Sequence, residues 1–159
     1  MIKNLFIRRV VQTVDAVRHE EENARLTESA PLLIMHASLI GLFFVGFSWV
    51  ALAVCLFLYA VRVFALTGGY HRYFSHNSYK TSRVFQFVLA WVGASSAQLG
   101  PLWWASHHRR HHQYSDTKED IHSPRQRGFL WSHIGWLFCR KYARSELDRV
   151  RDFAKFPEI

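Results

Sequence analysis

The chain has 159 residues, half of them hydrophobic, and carries a formal net charge of +8. Its mean hydropathy is near zero because apolar and basic stretches are segregated along the chain, which is typical of a membrane protein. The basic residues flank apolar runs without a nucleic-acid recognition motif, and the two cysteines form no C-x-x-C pair, so a nucleic-acid-binding protein and a disulfide scaffold are both excluded.

Residues 1–30 lack the continuous apolar core of a secretory signal. Apolar residues recur there at helical spacing among basic ones, at Ile2, Phe6, Val10, Val14 and Val17. This pattern predicts a cytosolic amphipathic helix that lies on the membrane surface. An ordinary soluble helix packed on the rest of the chain explains the pattern equally well.

No Asp, Glu, Lys or Arg occurs from Pro31 to Val61, and apolar character continues to Tyr70. One bilayer crossing needs about 20 residues, so this run of roughly 40 predicts two crossings. We therefore predict a transmembrane hairpin with helices near 31–46 and 48–69 and its turn at Val45-Gly46-Phe47-Ser48. Basic residues lie on both sides of the hairpin and none lies in its turn, which places both ends in the cytoplasm. A buried pair of soluble helices is the alternative.

Ten histidines occur in the chain, and six of them fall in two short clusters. His71 and His76 follow the second apolar helix directly. They would lie roughly 140° apart on an α-helix, so they either serve different metals or lie where the helix ends. In the second cluster, His108, His111 and His112 stand at i, i+3 and i+4 and share one helix face. Neutral imidazoles in such an arrangement suit iron, zinc, copper or nickel, and we predict all five as metal ligands.

The other histidines have several open interpretations. His107 is a further candidate ligand beside the second cluster. His36 lies inside the first apolar helix, where packing or a hydrogen bond is expected. His122 and His133 either support the site or touch a substrate.

The second apolar run, Val84 to Trp104, is long enough to cross a membrane but contains several polar residues. For both histidine clusters to bind one metal pair they must lie on the same side of the membrane, whereas a crossing would separate them by a hydrocarbon core about 30 Å thick. We therefore predict a buried or re-entrant segment on the cytosolic side. The predicted organisation is a cytosolic amphipathic segment, a transmembrane hairpin, cytosolic or re-entrant histidine-bearing helices and the start of a connecting helix, at 1–30, 31–70, 71–142 and 143–159.

The tail carries the signals of a short helix. Ser145 and Asp148 form a capping-box pattern, Leu147, Val150 and Phe153 share a face, and Pro157 ends the segment. We predict that this helix leads into a connection.

The clusters His71-Arg-Tyr-Phe-Ser-His76 (box one) and His108-Arg-Arg-His111-His112 (box two) resemble the first two histidine boxes of the acyl-CoA desaturases. The surrounding phrases look like the bacterial delta-9 type, and they are Thr67–Tyr70, Gly100–Trp104 and Arg127–Trp136. The resemblance covers residues 31–142. Integral-membrane hydroxylases share related histidine clusters, so the surrounding phrases favour a desaturase.

This resemblance implies an all-α integral-membrane enzyme that inserts a cis double bond into a saturated acyl chain. Two non-haem irons held by histidines would activate O2 as co-substrate. The family also carries a third box, H-x2-H-H, after a second pair of membrane helices, and this chain contains neither. The chain is therefore expected to be an incomplete and inactive fragment, from a truncated gene model, a partial sequence or a deliberate cut.

Several partners and supporting residues follow from the same resemblance. The substrate would be an acyl-CoA or a lipid-linked acyl chain, with CoA phosphate contacts at Arg140 and Lys141, although attraction to anionic membrane lipid explains this basic pair equally well. No haem, iron–sulfur or dinucleotide motif occurs in the chain, so a ferredoxin, a rubredoxin or a cytochrome b5-like donor is expected to supply electrons. Carboxylates often orient metal-binding imidazoles, and Asp116, Glu119 and Asp120 are the candidates, with solvated surface charge as the alternative.

The expected location is the inner (cytoplasmic) membrane, as a multi-pass protein with the histidine boxes facing the cytoplasm. Two other functions compete with the desaturase hypothesis. One is a related di-iron membrane hydroxylase, and the other is a non-catalytic membrane protein that binds zinc or lipid.

Overall fold

The computed structural model describes residues 30–159, and this part of the chain is helical and contains no strand. The all-α class predicted from the sequence is confirmed. The amphipathic helix predicted for residues 1–30 lies outside the described residues, apart from Ala30. Its existence stays a prediction.

The first apolar run is interrupted where the hairpin turn was predicted. Helix α1 spans Ala30–Ser38 and tightens into a 3₁₀ helix at Leu39–Phe44. The next helix, α2, spans Trp49–Phe64 and is capped by Ser48, whose Oγ accepts the Ala51 amide across 3.3 Å. No residue of these three segments is buried, so they do not show the packing between two arms that a hairpin requires. The two-helix hairpin stays a prediction.

Helix α2 continues without a break as a π-helix at Ala65–Ser75. Together they form 27 helical residues, Trp49–Ser75, the one helix within residues 30–159 that is long and apolar enough to cross a membrane. Large apolar side chains point outward along it, with Phe57 67% exposed and Leu56 59% exposed. Such a surface suits lipid better than water.

The main core lies where the π-helix packs against the next two helices. Helix α3 spans Arg83–Ala94 and helix α4 spans Pro101–Tyr114, and both pack against the π-helix. The buried apolar cluster contains Tyr70, Tyr73, Phe74, Leu89, Ala90, Ala105, Val150 and Phe153. This cluster fixes the box-one segment against the box-two helix and the tail.

Tyr70 pins α3 closely to the π-helix. Its hydroxyl donates to the carbonyls of Leu99 (3.0 Å) and Ala90 (3.3 Å). The ring occupies the space where a Cβ on Gly93 would lie, so only glycine fits at that position. Helix α3 has 12 residues, a length of about 18 Å, which is shorter than a hydrocarbon core of about 30 Å. The chain therefore returns from box one to box two without a helix of spanning length between them.

Residues 115–159 form short helices and turns, of which those up to Tyr142 surround a second, smaller core, while the tail packs on the main core. The elements are α5 at Pro124–Arg127, α6 at Phe129–His133, 3₁₀ turns at Gly135–Phe138, Arg140–Tyr142 and Leu147–Arg149, and α7 at Arg151–Ala154. The second core contains Ile121, Cys139 and Tyr142, with Trp131 and Trp136 packed on it.

The capping box predicted for the tail is wrong. Glu146 occupies the N-cap position of the turn Leu147–Arg149, and neither this turn nor α7 has a side-chain cap. The tail is held instead by burial of Val150 and Phe153 in the main core, as predicted. Leu147, predicted on the same face, is 51% exposed, so that part of the prediction is wrong. Tertiary packing thus replaces the local capping signal.

Candidate metal centre

His71 and His76 reach the same site because box one is wound as a π-helix. The His76 amide donates to the His71 carbonyl across 3.2 Å, which is an i→i+5 hydrogen bond. Residues five apart then lie above one another, and the two imidazole rings are 4.6 Å apart between centroids. The separation of roughly 140° expected for an α-helix does not apply to this segment. Both histidines can therefore serve one metal centre.

Box two contributes His108 and His112, which lie one turn apart on α4. His108 Nε2 lies 3.2 Å from His76 Nε2 and 3.0 Å from His112 Nε2. The ligand nitrogens of these three residues and of His71 all lie within 4.8 Å of one another. We call His71, His76, His108 and His112 the four-histidine group. It joins two segments that are more than thirty residues apart in the sequence.

The spacing of the four-histidine group fits ligands around a shared transition-metal ion. Metal–nitrogen bonds of about 2.1 Å place adjacent octahedral ligands about 3.0 Å apart, close to the distances around His108 Nε2. Burial and the neighbouring His112, His71, His76 and His111 lower the pKa of His108 to about 3. Desolvation, the neighbouring His71 and His112 rings and the Arg109 guanidinium also lower the pKa of His76. Both rings are therefore neutral near pH 7, the state in which imidazole binds a metal.

His111 takes part in a second group, centred on a buried carboxylate. Its Nδ1 donates to Asp120 Oδ1 across 3.0 Å, and the Asp120 side chain is fully buried. Asp120 also accepts the backbone amides of Asp116 (2.9 Å) and His122 (3.2 Å). Burial alone would raise the pKa of Asp120, but these hydrogen bonds outweigh it and lower that pKa. The charged carboxylate holds the His111 ring so that Nε2 remains available as a ligand atom.

His122 completes this second group. Its ring stacks on His111 with centroids 4.3 Å apart and an interplanar angle of 27°. The ligand atoms of His111, Asp120 and His122 lie within 4.8 Å of one another. We call these three residues the carboxylate group. Of the three carboxylates predicted to orient an imidazole, only Asp120 touches one, because Asp116 accepts from Ser123 Oγ (2.7 Å) and Glu119 is exposed.

The other histidines within residues 30–159 lie outside both groups. His107 is buried, and its Nδ1 donates to the Trp103 carbonyl across 2.9 Å. His36 donates in the same way to the Leu32 carbonyl within α1. His133 is exposed and stacks on Phe129.

The predicted substrate contacts are exposed and lie apart from the histidine groups in the sequence. Arg140 and Lys141 belong to the 3₁₀ turn Arg140–Tyr142, and Lys141 Nζ lies 5.9 Å from the Tyr142 ring centroid. Exposure leaves both cations available to an anionic group from solution. The structure adds no contact that assigns them to a substrate.

Trp104 supports the site and was not singled out by the sequence analysis. Its indole stacks on His108 with centroids 4.7 Å apart, and its Nε1 donates to Gln98 Oε1 across 3.0 Å. The i, i+4 spacing from Trp104 to His108 could have indicated this contact. The stacked indole limits rotation of the ring whose nitrogen joins boxes one and two.

Helical packing and converging imidazoles beside an apolar helix of membrane-spanning length define a candidate histidine-box metalloprotein. The family model described as fatty acid desaturase matches residues 47–156, which is more than half of the chain. The chain belongs to the fatty acid desaturase family. The resemblance recognised in the sequence is thereby confirmed.

The chain is also similar to several proteins that are named as desaturases. The chain is 45% identical over 107 residues to acyl-CoA 5-desaturase AL21 of Anemone leveillei, covering 67% of this chain and 33% of that protein. It is 38% identical over 114 residues to sn-1 stearoyl-lipid 9-desaturase of Anabaena variabilis, covering 70% and 42%. It is 37% identical over 108 residues to acyl-CoA Delta(11) desaturase of Choristoneura rosaceana, covering 67% and 32%. The chain thus spans between 32% and 42% of the length of these relatives.

Proposed function

We propose that this chain carries the first two histidine boxes of an O2-dependent fatty-acyl desaturase with a histidine-ligated di-iron centre. The observation that carries the proposal is the convergence of His76, His108 and His112 from two distant segments in a chain of the desaturase family. His71 and His111 complete the proposed ligands. The names of the relatives support a saturated acyl chain as the substrate, carried on CoA or on a lipid.

The chain's own residues prepare the ligands. The lowered pKa of His108 keeps its ring free of a competing proton, while Trp104 holds the ring in place by stacking. Asp120 fixes the tautomer of His111 by accepting from Nδ1. Iron bound at these imidazoles would supply the oxidant, taking one O2, two electrons and two protons, removing two hydrogens from adjacent methylenes, and leaving a cis double bond and two waters.

The partners and the membrane arrangement belong to the same proposal. Arg140 and Lys141 are exposed cations that suit the phosphates of CoA. A ferredoxin, a rubredoxin or a cytochrome b5-like protein would supply the electrons. The protein would be multi-pass in the inner membrane, in contact with lipid, with boxes one and two on the cytoplasmic side.

Metal analysis tests the metal centre. The chain purified in detergent is expected to retain iron after removal of free metal, and His108→Ala is expected to lose it. His36→Ala is the matched control, because His36 lies on α1 outside both histidine groups. Retention of iron by His108→Ala, or loss of iron in the control, would contradict the proposed ligands.

A chimera tests the reaction. Residues 47–156 would replace the matching segment of the Anabaena desaturase, and the fatty acids of the host would be analysed. A new double bond supports the proposal. A new hydroxyl group would favour the hydroxylase hypothesis, and a chimera that keeps its iron but forms neither product would contradict both.

A further inference from the structure

Arg109 lies between the box-two ligands His108 and His111, and all five of its N–H donors are used. Nε donates to the Ser75 carbonyl (2.9 Å), and Nη2 donates to the Phe74 carbonyl (2.7 Å). The two terminal nitrogens also donate to the two oxygens of Asp152, across 2.9 and 2.8 Å. The fifth donor reaches the Arg149 carbonyl across 2.7 Å. Among the protein side chains, only the arginine guanidinium has five N–H donors, so only arginine can make all of these bonds.

The carbonyls of Phe74 and Ser75 belong to the last turn of the π-helix. Helix ends leave carbonyls without intrahelical partners, and a cation is favoured there by the helix dipole. Arg109 supplies both the donors and the charge. It thereby fastens the box-two helix to the two residues that directly precede His76.

Asp152 fastens the other side of His76. Its Oδ2 accepts from the Asn77 side chain across 2.6 Å, and Asn77 follows His76 with a left-handed φ of 51°. One carboxylate thus holds both Arg109 and the residue after the ligand. Burial would raise the pKa of Asp152, but the bonds from Arg109 and Asn77 lower it, so the carboxylate is charged at neutral pH.

We infer that Arg109 and Asp152 form a positioning clamp that sets the distance between His76 and His108. The clamp joins three segments, namely the end of box one, the box-two helix and the tail at 149–152. His76 and His108 are 32 positions apart in the chain, so the 3.2 Å separation of their Nε2 atoms depends on tertiary contacts of this kind. The inference deepens the proposed metal centre and rests on it.

The adjacent ion pair provides a matched control. Arg110 Nη1 lies 2.6 Å from Glu146 Oε1, and the two side chains are 25% and 31% exposed, against 22% and 37% for Arg109 and Asp152. Both pairs join α4 to the segment near the tail. Only the Arg109 pair also holds the carbonyls and the asparagine that flank His76. Arg109 makes five hydrogen bonds, whereas Arg110 makes one, to Glu146, which also binds Arg149. The change in Co²⁺ affinity of each variant is therefore judged against that variant's own loss of thermal stability.

The test uses Co²⁺ titration of the purified chain, followed by visible absorption, together with thermal unfolding without metal. Arg109→Lys and Asp152→Asn are expected to weaken Co²⁺ binding about 10- to 100-fold, as is typical of residues that orient ligands, and to change the Co²⁺ spectrum. Arg110→Lys and Glu146→Gln should also lower the unfolding temperature, but with affinity within about 3-fold of the unmodified chain and an unchanged spectrum.

Two results would overturn the clamp. One is an equal loss of Co²⁺ affinity in both pairs that follows their loss of thermal stability. The other is an unchanged spectrum and an unchanged affinity in Asp152→Asn. This variant keeps the volume of the side chain, so it tests the clamp even if Arg109→Lys does not fold. Failure of the metal centre itself has a different signature, because the unmodified chain would then bind no Co²⁺, or bind it equally well after His108→Ala.

Discussion

The four-histidine group and the carboxylate group lie side by side but are built differently. The first joins box one to box two, across more than thirty residues, and consists of imidazoles alone. The second spans residues 111–122 and is organised by hydrogen bonds to one buried carboxylate. The first should therefore be sensitive to the packing of distant helices, while the second should depend on its own local contacts.

His108→Ala should give the largest effect, because His108 Nε2 lies within 3.2 Å of a histidine nitrogen from each box. We expect Co²⁺ or Fe²⁺ affinity to fall by more than about 100-fold, beyond the usual range for residues that only orient ligands. Metal titration followed by absorption measures the change. The hydrogen bond from His111 Nδ1 to Asp120 does not involve His108 and should persist in the metal-free chain, as NMR of the His111 Nδ1 proton would show. A small loss of affinity would show that the four-histidine group is not the main site.

Asp120→Asn should give the next effect, within the carboxylate group. The substitution keeps the shape of the side chain but removes the charge that accepts His111 Nδ1–H. We expect metal affinity to fall about 10- to 100-fold. Glu119→Gln is the matched control, since Glu119 is the exposed neighbour and should leave the affinity unchanged. Equal behaviour of the two variants would contradict an orienting role for Asp120.

The spacing rules that predicted these groups worked best where the structure is a regular α-helix. His108 and His112 lie on one face of α4 as their i, i+4 spacing predicted. Of the two alternatives given for His71 and His76, the structure matches the helix end, because His76 is the C-cap of the π-helix. The π-helical winding that brings the two rings together could not be predicted, because a period of 3.6 residues does not describe it.

Long-range contacts were also beyond sequence reasoning. Arg109 and Asp152 are 43 positions apart, and nothing local links them. Asp120 was one of three candidate carboxylates, and the sequence does not show that Asp120 is buried while Glu119 is exposed. The apolar run from Pro31 to Tyr70 was predictable from its lack of charged residues. Its interruption at residues 45–48 was predictable from the turn residues there. The packing of its two arms is not determined by hydropathy.

Gly93→Ala tests the dependence of the four-histidine group on distant packing. The added methyl group would overlap the Tyr70 ring and push the π-helix away from α3. We expect the free energy of unfolding to fall by about 1–3 kcal/mol, as for other overpacked cores, with a weaker affinity for metal. Thermal unfolding in detergent measures the change. Gly41→Ala, where the new methyl group meets nothing, is the control and should have no such effect.

His122→Phe should have the smallest effect and decides what the carboxylate group is. Phenylalanine can retain the stacking on His111 but offers no nitrogen to a metal. Burial and the neighbouring His111 lower the pKa of His122, so its ring is neutral near pH 7. A neutral ring can bind a metal or only pack on His111. The face-to-face arrangement with His111 favours packing, because it supports the ring that Asp120 already orients. We therefore expect metal affinity to change by less than about 3-fold, the size of a modest aromatic packing term. A loss of 10-fold or more in the same titration would make His122 a ligand. The carboxylate group would then be a metal site in its own right.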